Sequence, residues 1–151
     1  KSLNSRPVES GVLMYLLDTD TLIYSLKGHQ NVVDNLRIYA DAPKAISVIS
    51  YGELVFCAEK SEQIANNLAK VHRLREVFPV IDLSCSIMDT FGNIKAEVER
   101  KGKTVDDFDL LIGATALTLG YCVVSNNEKH FKMISGLKMV NWTNPVDFSQ
   151  T

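Results

Sequence analysis

Residues 106–125, DDFDLLIGATALTLGYCVVS, read as one helix followed by one buried strand. Leu110, Leu111, Ala114 and Leu117 recur at the spacing of three and four that lines one face of an α-helix. Gly120 supplies the residue that tolerates the left-handed turn ending such a helix. Residues 121–125 then run apolar and β-branched, as a strand covered on both faces does. A helix feeding straight into a strand of this kind is half of a crossover unit, and crossover units build parallel sheets.

The same cadence extends toward both ends. Residues 14–17 form a brief apolar strand, and residues 21–26 read as one or two helical turns. Val32, Val33, Leu36 and Tyr39 recur at helical spacing, and residues 45–49 (AISVI) read as a buried strand followed by a helix starting at Ser50. Ile64, Leu68, Val71 and Leu74 stripe a longer helix that Pro79 ends. A short strand is predicted at 80–83, and Ile87, Phe91, Ile94 and Val98 mark a helix closed at Gly102, with Arg100 and Lys101 in its last turn. Residues 138–142 make the final strand. The fold class that follows is α/β, a three-layer α/β/α sandwich around a mainly parallel sheet of about five strands.

The 151 residues suit one domain, and with 46% apolar and 23% charged side chains they can bury a sizeable core. Residues 1–13, polar and aperiodic, read as an expression-derived leader, leaving 14–151 as the domain. No stretch reaches the ~18 apolar residues of a membrane span, so no membrane partner and a cytoplasmic location are expected. Cys57, Cys85 and Cys122 are odd in number and set among apolar neighbours, which fits buried, reduced thiols. A formal charge of −2 excludes a binder driven by basic excess, but a carboxylate cluster holding divalent metal would make an RNA-cleaving protein acidic.

In an open parallel sheet, chemistry collects beyond the carboxyl ends of the strands. Asp18 and Asp20 follow the first strand, and Glu53 falls in the first turn of the helix after AISVI. Asp106, Asp107 and Asp109 open the DLLIGATAL helix, and Ser125, Asn126 and Asn127 follow the YCVVS strand. Four segments thus bring oxygen donors to one edge, a plausible site for a hard divalent cation. Each acid also has a plainer role. Asp18 can cap the helix after it, and Ser50-x-x-Glu53 matches a capping box, in which Glu53 reaches back to a backbone amide. Asp106 and Asp107 suit an N-cap and first turn, whereas Asp109, beside Leu111 and Ile112, needs a partner. His130 either borders the site or caps a turn.

Taken together, LLDTDTLI, SVISYGELVFCAEKS, the run from FGNIKAEVERKG to SNNEKHF, and GLKMVNW resemble PIN-domain ribonucleases of the VapC toxin type, from Met14 to Trp142. The resemblance places the catalytic acids on Asp18, Glu53 and Asp109, with Asp18 and Asp109 as metal ligands and Glu53 positioning a water or holding the metal through it. Ser125 and Asn127 take the polar positions after the fourth strand. Many relatives carry Asp where this chain has Asn127, a departure that bears harder on a two-metal than on a one-metal assignment, and Asp20 is placed to restore the charge. The resemblance implies cleavage of structured transfer or ribosomal RNA with Mg²⁺ or Mn²⁺, a homodimer, and an antitoxin whose tail sets an Arg in the acidic pocket. Two other readings compete. LLDTDT also fits the nucleophile motif of haloacid-dehalogenase-like phosphatases, although the acidic pair at Asp106 and Asp107 precedes Ser125, the reverse of that family's order. The second is a catalytically inactive PIN scaffold that binds RNA or protein, a reading that the intact Asp18, Glu53 and Asp109 oppose and Asn127 leaves open.

Overall fold

The computed structural model describes residues 13–150. The leader expected at residues 1–13 therefore lies, but for Leu13, outside the described residues. Five strands, β1 (Tyr15–Leu17), β2 (Lys44–Ser47), β3 (Val80–Ile81), β4 (Cys122–Val124) and β5 (Met139–Val140), form one sheet in the order β3-β2-β1-β4-β5. Every pairing is parallel. The first strand made is thus the central one, and the chain leaves it toward β2 before returning to its other side with β4.

Side-chain alternation along these strands divides the core in two. Leu16, Ala45 and Val123 point to the layer formed by α5 (Cys85–Arg100), α6 (Asp107–Leu119) and α7 (Glu128–Phe131), where they meet Ile87, Ile94, Ile112 and Phe131. Tyr15, Leu17, Ile46, Cys122 and Val124 point to the opposite layer. That layer holds α1 (Thr19–Leu26), α2 (Gln30–Ile38), α3 (Val48–Glu59) and α4 (Ile64–Val77), with Leu22, Leu54, Ala58 and Val71 at its centre. The three-layer architecture is the expected one. Strands β1 and β4 are buried throughout, which is why they read as continuous apolar runs.

Several boundaries differ from the sequence reading. The AISVI strand stops at Ser47 and α3 begins at Val48, two residues before Ser50. Register decides this: Ile46 pairs with Leu17, the last residue of β1, so the chain turns at the level where its neighbour turns. Ser47 is the N-cap, its hydroxyl accepting from the Ile49 amide at 3.0 Å. Helix α1 likewise starts early, at Thr19, because Asp18 caps it.

One further expectation is corrected: Cys57 and Cys85 lie at the surface, and only Cys122 is buried. On the stripe of residues 32–39, Val32 is buried and Leu36 and Tyr39 pack against the core, with Tyr39 stacked on Trp142 at 5.3 Å between ring centroids. No helix among the described residues is long and apolar enough to cross a membrane.

Candidate active site

Leu17 pairs with both Ile46 and Val124, so β1, β2 and β4 end nearly level and their next residues form one shelf. The boundary between β1 and β4 is where the strand order reverses, and Asp18 and Ser125 stand on either side of it. This is the crevice in which parallel sheets bind ligands.

Asp18 is fixed by the sheet itself. Its backbone N–H donates to the Val124 carbonyl at 3.1 Å, and its Oδ1 accepts from the Thr21 amide at 2.9 Å. The helix-capping role is therefore real, but it does not exhaust the carboxyl group. Ser125, wholly buried, hydrogen-bonds it from across the switch point. Asp18 is only 4% exposed, and among the described residues no Lys, Arg or His pairs with it. Burial is the main cause that pushes its pKa up to about 6, with a smaller push from the Asp20 charge; the bonds from Ser125 and Thr21 oppose the rise.

Glu53 lies in the second turn of α3, not the first, because the helix starts at Val48. It closes no capping box: Ser50 is inside the helix and its buried hydroxyl has no hydrogen-bond partner among the described residues. Instead Thr19, the residue after Asp18, donates its hydroxyl to Glu53 Oε1. Burial raises the Glu53 pKa first, the Thr19 bond lowers it, and the charges of Asp109, Asp106 and Asp20 raise it further. Mutual repulsion among the acids thus contributes to the shifts, while desolvation leads them.

Asp109 finds its partners on α7. Its Oδ2 accepts from Asn127 Nδ2 at 3.0 Å and lies 2.8 Å from His130 Nδ1. Asn127 is itself placed by its backbone N–H, which donates to Ser125 Oγ at 2.8 Å. The neighbouring acids play the plainer roles: Asp106 caps α6 through the Phe108 amide, and Asp107 pairs with Lys95 at 2.9 Å. Asp20 is exposed.

The arrangement brings all five sequence-chosen residues, Asp18, Glu53, Asp109, Ser125 and Asn127, to one end of the sheet. It does not converge the three acids into a preformed ligand cage. Among the described residues, no group of three His, Cys, Asp or Glu side chains stands in a geometry that would hold a metal ion. The reason is local, since Asp109 is turned to Asn127 and His130 and Glu53 to Thr19. The donor set nonetheless fits a hard divalent cation: it is all oxygen, and it includes a buried carboxylate lacking a cationic neighbour among the described residues. Thr19 and His130 are the contacts the sequence pattern did not assign. A hydroxyl next to the strand-terminal acid was the available signal for the first, and the i, i+3 spacing from Asn127 for the second. The phosphatase reading loses its ground, because α1 starts directly after Asp18 and leaves no room for that family's flap.

The profile of the PIN domain matches residues 15–137. Ribonuclease VapC2 of Haemophilus influenzae is 34% identical over 132 residues, covering 87% of this chain and 99% of the relative. The tRNA(fMet)-specific endonuclease VapC of Shigella flexneri is 30% identical over 132 residues, covering 87% of this chain and all of the relative. Among solved structures, VapBC2 of Rickettsia felis bound to a promoter DNA fragment superposes with a TM-score of 0.80 at 31% identity, over 86% of this chain and 99% of that one. With the sheet order, the shelf of acids and these likenesses in agreement, the chain belongs to the PIN-domain family, in its VapC ribonuclease branch.

Proposed function

We propose that this chain is the endoribonuclease toxin of a toxin–antitoxin pair, cutting the phosphodiester backbone of structured RNA with Mg²⁺ or Mn²⁺. The observation that carries the proposal is Asp18, a buried carboxylate at the switch point of a parallel sheet, held by Thr21 and Ser125 and compensated by no cation among the described residues. Asp18 and Asp109 would hold the ion, with Glu53 beside it. When bound, such an ion supplies Lewis acidity to the phosphodiester and to the attacking water.

The protein's own groups do the rest. Ser125 and Thr21 fix the direction of the Asp18 carboxylate, and Asn127 fixes that of Asp109. Thr19 engages Glu53 Oε1 and leaves Oε2 to take a proton from the attacking water, and the upward shift of its pKa by burial makes it a stronger base for that task. A groove of about 770 Å³, lined by Thr19, Ile23, Val48, Gly52, Phe56 and Phe108, opens beside Glu53. Its apolar walls and acidic end suit an antitoxin segment that carries an Arg. The solved relatives are toxin–antitoxin complexes, which supports this partner. Exposed Leu26, Ile38, Ile64 and Val77 offer apolar surface for the homodimer.

The relatives named for tRNA(fMet) make transfer RNA the first substrate to try. Purified protein should cleave tRNA with Mn²⁺, lose the activity in EDTA, and lose it by ~10² or more in Asp18→Asn. Intact tRNA and rRNA after incubation with folded, Mn²⁺-supplied wild type would favour the inactive binding module.

A further inference from the structure

Asp109 Oδ2 is met by two nitrogens at once. Asn127 Nδ2 is 3.0 Å away, His130 Nδ1 is 2.8 Å away, and the two nitrogens are 2.9 Å from each other. A carboxylate oxygen only accepts, so both contacts require a proton on the nitrogen. That fixes the Asn127 amide with its NH₂ toward Asp109 and puts the proton of His130 on Nδ1. His130 lies on α7 and Asn127 at its N-cap position, and the helix is anchored by the buried ring of Phe131 and by the hydrogen bond from the Asn127 backbone N–H to Ser125 Oγ.

Two donors occupy Oδ2, and Oδ1 has no protein partner among the described residues. A carboxylate at position 127 would stand against Asp109 and create the paired acids that draw a second cation. Here that point is held by an amide N–H and backed by a ring N–H, both with their positive ends toward Asp109. We propose that the centre takes one divalent ion per chain, and that Asn127 and His130 are positioning residues that present a single Asp109 oxygen and close the place of a second ion. This rests on the metal-dependent reading above and sharpens it from a class of ion to a count.

The test counts Mn²⁺ directly, by electron paramagnetic resonance of the free ion during titration of the full chain. Wild type should bind one Mn²⁺, and Asn127→Asp should bind two, with spin coupling between them. Asn127→Asp should also melt below wild type in EDTA and recover the difference in excess Mn²⁺. A ¹⁵N-detected ring correlation should find the His130 proton on Nδ1 in wild type and lose that preference in Asp109→Asn. Two ions in wild type would overturn the inference whether or not the variant folds. One ion in folded Asn127→Asp would overturn the role given to Asn127, and a proton on Nε2 alone would overturn that of His130. No ion in wild type would overturn the metal reading itself and this count with it.

Discussion

Asp18 sets the most direct predictions because its environment is asymmetric: it has several donors and, among the described residues, no cation. In the unfolded chain its carboxyl titrates near 3.8, and in the folded chain near 6. Between those values the folded state holds more protons than the unfolded one. The metal-free protein should therefore lose stability as the pH rises from about 4 to above 6, by on the order of 3 kcal/mol from this group. Asp18→Asn should flatten that slope, raising stability at pH 7.5 and changing it little at pH 4; denaturant melts of both proteins in EDTA at the two pH values check this. The same slope in both would place the destabilising charge elsewhere. Glu53 makes a second case. Since it closes no capping box, Glu53→Gln should hold folding within about 0.5 kcal/mol, as Gln can still accept from Thr19, while RNA cleavage falls by ~10² or more. Full activity in that variant would remove Glu53 from the reaction.

Helix α3 shows where local sequence rules lose to the sheet. The stretch AISVIS offers two serines three residues apart, and the pattern rule prefers Ser50 because Glu53 follows at the right distance. The structure uses Ser47, since the pairing of Ile46 with Leu17 fixes where the strand must end, and that pairing depends on a segment about 30 residues upstream. Ser47→Ala should accordingly cost about 1 kcal/mol. Ser50→Ala, which removes a buried hydroxyl without a partner among the described residues, should be neutral or stabilising by up to about 1 kcal/mol. Thermal melts of the two variants separate the alternatives by sign. The longer helices were legible because their stripes run for several turns, and α6 ends at Gly120 as read, in the left-handed conformation at φ 76°. Helix α7 was not, because four residues are too few to display a period. The contact between His130 and Asp109 was hidden for the same reason, as it needs α7 to dock beside α6.

For the whole molecule, the acids that the family likeness selected do share one edge, yet the charge pattern alone could not rank them against their capping roles. What ranks them is depth: Asp106, Asp107 and Asp20 stay in solvent while Asp18 goes under. The core likewise takes in Val32, and Leu36 and Tyr39 pack against it. The apolar surface left for a second copy lies on Leu26, Ile38, Ile64 and Val77. Sedimentation should find a dimer at micromolar concentration, and Val77→Lys should shift it toward monomer; a monomeric wild type would remove the dimer from the proposal.

The order in which the strands pair also bears on synthesis. A ribosome delivers β1 first, yet one of its two neighbours, β4, arrives more than a hundred residues later, and Ser125 and Asn127 later still. A nascent chain holding Asp18 and Glu53 has no partner strand on that side and no floor beneath the crevice. Cutting RNA thus awaits the synthesis of residues 122–127, which complete the far side of the crevice.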